Sequence, residues 1–184
     1  VGFDVNVQLC EQLNCGDVPI LEPGLFELLE GHRDKITYSG SVGELATCEL
    51  IYLSLDVDTD QEGQSDLSQV EKLVAEVLPS LKEECIIVVL CQVPPGYTRR
   101  LIRQYQTEIL AKQYQVYYQV ETLVFGNAVE RALHPERYIV GCMDPALPLP
   151  LLLNEFLGSF DCPILSVGYE SAELTKISIN MFLA

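Results

Sequence analysis

The sequence predicts an α/β fold with a mostly parallel sheet and helices on both of its faces. Short apolar runs rich in Val, Ile and Leu alternate with segments of helical periodicity. Continuous runs of this kind are typical of strands that are buried on both faces. The chain has 184 residues, 48% of them hydrophobic, which is enough for one domain with a sizeable core.

The alternation can be followed along the whole chain. Strands are predicted at 1–5, 49–55, 85–91, 114–120, 137–142 and 162–168. Helices are predicted at about 7–15, 41–48, 66–83, 95–112, 148–158 and 171–184. Strands that alternate with helices indicate βαβ units and a parallel sheet.

Local signals define some of the helix boundaries. Gly16 ends the first helix, and Pro19 and Pro23 make the following segment, 17–24, an extended loop. Asp66 and Gln69 resemble a capping box at the start of the helix over 66–83. Ser171 is a candidate N-cap for the last helix.

The composition disfavours two classes of partner. With 27 acidic and 11 basic residues the net charge is −16, whereas nucleic-acid binding needs clustered Lys and Arg. The three arginines at 99, 100 and 103 fit the solvated face of a helix. The apolar run 147–153 is too short to span a bilayer, and we see no secretory signal. We therefore expect neither a nucleic-acid partner nor a membrane.

The cysteines indicate a reducing compartment. There are seven of them and no CxxC pair, as expected of a cytoplasmic protein in which Cys serves as a small buried hydrophobe. His32 and His134 lie far apart, without an acid or a Cys at metal-ligand spacing. We predict no metal site.

Ligands of a parallel sheet bind beyond the carboxyl ends of its strands, so the residues there are candidates for chemistry. Five places stand out: Asp4, the loop 55–59, the loop 91–98, the segment 120–126, and Lys176 with Asn180. Two prolines and a glycine make the second loop rigid, although prolines near a helix start are also ordinary punctuation.

Each candidate side chain has two interpretations. Asp4 can bond the ribose hydroxyls of a dinucleotide, or it can cap the helix that starts near Val7. Glu121 can exchange protons with a substrate through a water molecule, or it can be a surface acid. The side chains of Lys176 and Asn180 share a helix face and can stabilise an oxyanion. Alternatively, Lys176 forms a surface ion pair with Glu173, three residues earlier.

Five ordered blocks of the sequence resemble the UDP-glucose/GDP-mannose dehydrogenase family over essentially all 184 residues. The blocks are PILEPGL at 19–25, DLSQVE at 66–71, QVPPGYTRR at 92–100, ETLVFGNAVERALHPERYIVG at 121–141 and SAELTKISINMFLA at 171–184. The resemblance implies a doubly wound, Rossmann-like NAD-binding domain over 1–168 and the start of a long connecting helix over 169–184. It also places the first strand and the glycine-rich loop upstream of Val1.

The resemblance implies that the parent protein is an NAD-dependent enzyme, of which this chain is one part. Such enzymes oxidise the C6 alcohol of a nucleotide sugar, here a UDP-glucose-like one, to the uronate in two hydride transfers. An aldehyde and a cysteine thiohemiacetal are the intermediates. The family is cytoplasmic, and we expect a homo-oligomer.

The resemblance assigns roles to individual residues. Glu121 assists proton transfer, while Lys176 and Asn180 steady the oxyanion and an ordered water. The substrate segment comprises Glu121, Thr122, Leu123, Val124 and Phe125, together with Lys176 and Asn180. The NAD-binding residues are Asp4, Leu55, Asp56, Val57, Asp58, Thr59, Cys91, Gln92 and Val93.

Several positions depart from the family pattern. Gln92 replaces the usual threonine, and Phe125 cannot supply the carboxylate expected at its position. Asp58 adds negative charge to the loop 55–59, the nucleotide loop. The nucleophilic cysteine of the family is expected downstream of Ala184. Cys91 matches a serine position and is not nominated as the nucleophile.

Two expectations follow. The isolated chain should be inactive, and the alternative to an enzyme is a non-catalytic binding or scaffolding protein. In the strand order 3-2-1-4-5-6 the absent first strand lies in the middle of the sheet. The strand at 1–5 should therefore be separated from the strands that begin near Glu49 and Cys85.

Overall fold

The structure is a computed structural model that describes residues 1–58, 60 and 65–183. Its strands are β1 Gly2–Phe3, β2 Tyr38–Ser39, β3 Leu50–Leu53, β4 Ile86–Val89, β5 Gln115–Gln119, β6 Tyr138–Cys142 and β7 Ile164–Gly168. Its helices are α1 Val7–Asn14, α2 Leu25–Gly31, α3 Ser68–Val77, α4 Tyr97–Gln104, α5 Gln106–Ala111, α6 Ala128–Leu133, α7 Leu151–Gly158 and α8 Tyr169–Leu183. Short 3-10 turns cover Arg33–Lys35, Val42–Thr47 and Leu78–Ser80.

The strands form two sheets. The larger sheet has the order β3-β4-β5-β6-β7, and all its neighbours are parallel except the antiparallel pair β5 and β6. The smaller sheet is the parallel pair β1 and β2. The predicted α/β fold with a mostly parallel sheet is confirmed.

A cleft of about 710 Å³ separates the two sheets. Phe3 and Asp4 line it from the β1 side, Ile51 and Leu53 from β3, and α3 closes it with residues that include Leu73. Strand β1 pairs with β2, and, as expected from the sequence, it does not pair with the strand that begins near Glu49.

The larger sheet is covered on both faces, which explains the unbroken apolar run of β4. Ile87 and Val89 belong to a cluster with α3 residues such as Val74. Ile86 and Val88 point the other way, into a cluster with Leu153 and Leu157 of α7. All four residues of β4 are buried, as strands between two layers of helices must be.

Three predicted helices differ from the observed ones. The segment 66–83 is α3 followed by a 3-10 turn, and 95–112 is two helices because Tyr105 leaves helical geometry at φ −107°. The segment 41–48 contains a 3-10 turn. Helices α2 and α6 and strand β2 were not predicted, since each is only two to seven residues long and such short elements carry little periodicity.

The predicted caps also need correction. Leu67 is the N-cap residue of α3, and the Asp66 carboxylate accepts a hydrogen bond from the Ser68 N–H at 2.9 Å, so no capping box with Gln69 starts the helix. The last helix begins at Tyr169, two residues before Ser171. The Ser171 carbonyl instead accepts a hydrogen bond from the Thr175 hydroxyl within that helix.

No helix in the described part of the chain combines the length and the apolar character needed to cross a bilayer.

Candidate functional site

Helix α8 presents three polar side chains on one face, and each contacts a different part of the chain. Glu173, Lys176 and Asn180 follow one another at spacings of three and four residues, which places them on neighbouring turns of the same side. The helix packs on β5, β6 and α4, so this face points toward the carboxyl ends of the central strands.

Lys176 forms an ion pair with Glu121, 55 residues earlier in the sequence. Its ammonium Nζ lies 2.8 Å from Glu121 Oε2 and 2.9 Å from the Glu121 carbonyl oxygen. The two side chains are 10% and 24% exposed, so solvent screens the attraction only in part. The surface ion pair of Lys176 with Glu173 that spacing suggested is wrong, because both side chains have other partners.

Asn180 lies one turn beyond Lys176 and contacts the loop after β4. Its side-chain Nδ2 donates a hydrogen bond to Gln92 Oε1. Gln92 is one of the residues that depart from the family pattern. Because Gln is longer than the usual threonine, its side-chain amide reaches Asn180 directly. A predicted cofactor residue and a predicted catalytic residue thus meet at this contact.

Glu173 is completely buried and caps a different helix. Its carboxylate oxygens accept hydrogen bonds from the Gly96 N–H at 2.5 Å and from the Thr98 N–H at 2.8 Å. These are amides at the N-terminus of α4, whose own N-cap residue is Gly96 and supplies no side chain. A carboxylate at this end of a helix is favoured by the helix dipole.

Glu22 caps the start of α6 in the same manner. Its two carboxylate oxygens accept from the Gly126 N–H at 2.8 Å and the Ala128 N–H at 2.6 Å. At the other end of this segment, Glu121 Oε1 accepts a hydrogen bond from the Leu123 N–H. The segment that follows β5 is thus held at its start by Glu121 and at its end by Glu22.

The predicted substrate segment lies beside the ion pair, and most of it faces solvent. Leu123, Val124 and Phe125 are 46%, 38% and 87% exposed. Thr122 is half-buried, and its carbonyl accepts a hydrogen bond from Arg131 Nη1 at 3.2 Å. A cleft of about 390 Å³ adjoins this segment, and its lining includes Thr122, Asn127, Arg131, His134 and Ile179.

Three of the predicted NAD-binding residues lie on the two sides of the cleft between β1 and β3. Asp4, Leu55 and Asp56 line this cleft. The Oδ1 atom of Asp4 accepts a hydrogen bond from the Asn6 N–H at 2.7 Å. Asp4 does not cap α1, because Asn6 is the N-cap and its side chain accepts from the Leu9 N–H.

The remaining residues of the nucleotide loop differ in exposure. Val57 is half-buried against the main core, and Asp58 is exposed. The Asp58 carbonyl accepts a hydrogen bond from the Asp66 N–H at 2.8 Å, which closes the base of the loop. Thr59 lies outside the described residues.

Cys91 and Val93 are core residues whose side chains are 2% and 1% exposed. The Cys91 Sγ accepts a hydrogen bond from the Leu55 N–H at 3.2 Å and donates one to the Leu53 carbonyl oxygen at 3.3 Å. Burial raises the pKa of the Cys91 thiol, so this thiol is poorly suited to act as a nucleophile. Its geometry fits a structural link between β3 and β4.

The loop after β4 joins the two groups of residues. Cys91, at its start, bonds the nucleotide loop through Leu55, and Gln92 beside it bonds Asn180 of α8. Predicted cofactor residues and predicted catalytic residues therefore meet at one edge of the sheet.

Sequence reasoning missed the two capping carboxylates. Glu22 and Glu173 both lie in blocks that carry the family resemblance. Their hydrogen-bond partners Gly126 and Gly96 are 104 and 77 residues away in the sequence. Spacing rules for helices reach only three or four residues, so the sequence offered no signal for these contacts. The described residues contain no group of three or more His, Cys, Asp or Glu side chains that could hold a metal ion.

Nucleotide-sugar dehydrogenases are among the known proteins that the chain resembles. UDP-glucose 6-dehydrogenase of Pseudomonas aeruginosa is 29% identical over 182 residues, covering 94% of the chain and 40% of that protein. The structure of a UDP-glucose dehydrogenase from Pyrobaculum islandicum has a TM-score of 0.83 at 28% identity, over 99% of the chain and 43% of that structure. A ternary complex of GDP-mannose dehydrogenase from Pseudomonas aeruginosa has a TM-score of 0.86 at 22% identity, over 99% and 44%.

The chain thus spans about two-fifths of the length of these relatives. The model of the UDP-glucose/GDP-mannose dehydrogenase family, NAD binding domain, matches residues 1–149. Since this match covers most of the chain, and the strands and helices superpose on those of solved members over nearly its full length, the chain belongs to the UDP-glucose/GDP-mannose dehydrogenase family.

Proposed function

We propose that the chain is the NAD-binding part of a nucleotide-sugar 6-dehydrogenase that oxidises the C6 alcohol of a UDP-glucose-like sugar to the uronate. The observation that carries this proposal is the arrangement along α8. Lys176 pairs with Glu121, and Asn180 bonds Gln92. Cys91, the residue before Gln92, bonds Leu55 of the nucleotide loop.

The proposed roles follow from the chemistry of these groups. The Lys176 ammonium stabilises negative charge that develops on the substrate oxygen, because a fixed cation in a partly dehydrated site acts strongly on such charge. The Glu121 carboxylate accepts a proton from the substrate, directly or through a water molecule. Asn180 Nδ2 is the second donor to the same region. Thr122, Leu123, Val124 and Phe125 line the sugar-nucleotide side.

The residues present fit a bound dinucleotide. Asp4 uses Oδ1 to bond the Asn6 N–H, which leaves Oδ2 to accept hydrogen bonds from ribose hydroxyls. Leu55 and Asp56 lie just beyond the carboxyl end of β3 and line the same cleft, and Val57 packs against the main core. Bound NAD would supply the hydride acceptor that the oxidation needs. We assign the cofactor role to these residues together with Asp58, Thr59, Cys91, Gln92 and Val93.

The cleft between β1 and β3 supports a finer description of the domain. In the order 3-2-1-4-5-6, one strand lies between the second and the fourth, and the cleft occupies that place between β1 and β3. We propose that residues 1–168 are an NAD-binding domain whose first strand and glycine-rich loop fill this cleft. Residues 169–184 are then the start of the connecting helix.

The parent protein is proposed to act in the cytoplasm as a homo-oligomer. The second oxidation in this proposal needs a thiol nucleophile, and the buried Cys91 does not meet that need. We therefore propose that the 184-residue chain alone does not turn over a nucleotide sugar.

The test combines binding and turnover. The chain is titrated separately with NAD and UDP-glucose while backbone amide signals are followed by NMR, and NADH formation is measured with both present. NAD should shift the amides of Leu55, Asp56 and Gln92, UDP-glucose those of Thr122 and Leu123, and no NADH should form. Steady NADH formation would contradict the proposal that the chain alone is inactive. Shifts confined to other regions would contradict the site assignment.

A non-catalytic scaffold is the second candidate, and one observation favours it. Phe125 is 87% exposed and cannot supply the carboxylate expected at its position, so one contact that a nucleotide sugar would need is missing. Binding of neither NAD nor UDP-glucose in the titration supports the scaffold, whereas localised shifts with both support the enzyme.

A further inference from the structure

We infer that Glu173 is a positioning residue, which fixes α8 against the loop after β4 so that Lys176 meets Glu121 and Asn180 meets Gln92. The inference rests on the proposed function only for the roles of Lys176 and Asn180. The geometry itself needs neither cofactor nor substrate.

Two hydrogen bonds fix the position of the buried Glu173 carboxylate. Its side chain is completely buried, and a carboxylate in such a place is strongly destabilising unless its oxygens are bonded. Both oxygens accept backbone N–H groups, from Gly96 at 2.5 Å and Thr98 at 2.8 Å. Hydrogen bonds to an ionised acceptor are short and strongly directional. They therefore define the position of the carboxylate within a narrow range.

The Gly96 amide belongs to the same loop as Gln92. Gly96 ends a loop that begins after β4 and contains Pro94 and Pro95, whose rings fix two backbone angles. Gln92 lies in the same loop, four residues before Gly96. A carboxylate that holds Gly96 therefore also restricts where Gln92 can lie.

The start of α8 is held on the sheet. Tyr169 and Ala172 seat the start of the helix on the sheet, the first by a 2.7 Å hydrogen bond from its hydroxyl to the Val116 carbonyl and the second by packing close to Gly141. Glu173 adds the contact to the loop. The next two polar residues of the same face are Lys176 and Asn180, and a rigid helix passes the position of Glu173 on to them.

The test uses the ammonium signal of Lys176 in the full 184-residue chain. A lysine that is 8% exposed and bonded to two oxygens exchanges its protons slowly enough to be detected by ¹⁵N NMR, and K176M identifies the signal. E173Q keeps the size of the side chain but offers one acceptor oxygen in place of two. We expect E173Q to lose the Lys176 ammonium signal and to shift the side-chain amide signal of Asn180.

The matched control is E170Q, on the first turn of the same helix. Glu170 bonds Arg99 and is half exposed, so E170Q should leave both signals unchanged. If E173Q unfolds more readily but keeps both signals, Glu173 is only a helix cap and the inference is overturned.

A second measurement needs no variant and covers the case in which E173Q does not fold. In the unaltered chain, low concentrations of urea should release the amides of Gly96 and Thr98 to hydrogen exchange and remove the Lys176 ammonium signal with the same dependence on urea. Persistence of the ammonium signal after both amides exchange freely would overturn the inference. Neither measurement involves NAD or a nucleotide sugar, so failure of the proposed function would leave these results unaffected.

Discussion

Lys176 and Glu121 are 55 residues apart in the sequence, yet the ammonium nitrogen of one lies 2.8 Å from a carboxylate oxygen of the other. The contact joins α8 to the segment after β5. The same ammonium also donates to the Glu121 carbonyl oxygen. This pair thus anchors both the side chain and the main chain at the start of the predicted substrate segment.

Removing the Lys176 ammonium should destabilise the chain. In K176M, Glu121 keeps its bond from the Leu123 N–H but loses its charged partner, and we expect a loss of about 1–3 kcal/mol in the free energy of unfolding. Urea denaturation measures it. The control K82M breaks an ion pair of two more exposed side chains and should have a much smaller effect. Equal losses in the two variants would contradict the structural importance of the Lys176 pair.

The contact between Asn180 and Gln92 should appear as coupling between two substitutions. N180A and Q92A each break the same hydrogen bond, so the double variant should lose less stability than the sum of the single ones. The expected coupling is about 0.5–1.5 kcal/mol. Unfolding of the four proteins in urea measures it, and strict additivity would mean that the side chains do not interact in solution.

Gly141 should tolerate no larger residue, because α8 lies directly over it. A Cβ atom at Gly141 would lie 2.9 Å from Ala172 Cβ and 3.2 Å from Tyr169 Cα. G141A should therefore push the helix away and destabilise the chain by about 1–3 kcal/mol. The control is G158A at the end of α7, where a Cβ has no neighbour within 4 Å. There the substitution should be neutral or slightly stabilising, and a similar loss in both variants would exclude the clash as the cause.

The bond between Arg99 and Glu170 should contribute to stability only above acidic pH. The hydrogen bond from Arg99 lowers the pKa of Glu170 to about 2 in the folded chain. A carboxylate with a lowered folded-state pKa stabilises the fold above its unfolded pKa, and this contribution disappears as the pH falls toward the folded value. The Arg99 and Glu170 side chains are 32% and 45% exposed, so solvent screens the pair and its contribution is at most about 1 kcal/mol.

The comparison of wild type with E170Q isolates this effect. At pH 7 the wild type should be the more stable protein, and the difference should shrink between pH 4.5 and pH 2. Urea unfolding at several pH values measures it. A difference that grows on acidification would show that the sign is wrong.

The buried thiols should resist alkylation in the folded chain. Burial raises the pKa of Cys85 to about 11 and also raises the pKa of Cys91, and the thiolate is the reactive form. Cys15 is exposed. Iodoacetamide at pH 8 followed by peptide mass spectrometry should find Cys15 modified first and the two buried thiols only after unfolding. Early modification of Cys91 would contradict its structural role.

The sequence by itself determined the fold class, and it named polar residues at strand ends and on the last helix that the structure brings together. The run in β4 is apolar throughout because both of its faces are covered, and this pattern can be read without a structure. The separation of β1 from β3 also followed from the strand order of the family. Glu121, Lys176 and Asn180 were named from their blocks, although spacing could not decide what each contacts.

Only the tertiary structure decided the partners of the polar side chains. From spacing, Glu173 was the candidate partner for Lys176, but α8 packs so that Glu173 enters the N-terminus of α4 and Lys176 reaches Glu121. Asp4 similarly left the capping of α1 to Asn6. Spacing along a helix records which residues share a face. What that face meets depends on how distant segments pack, and that packing is a property of the whole fold.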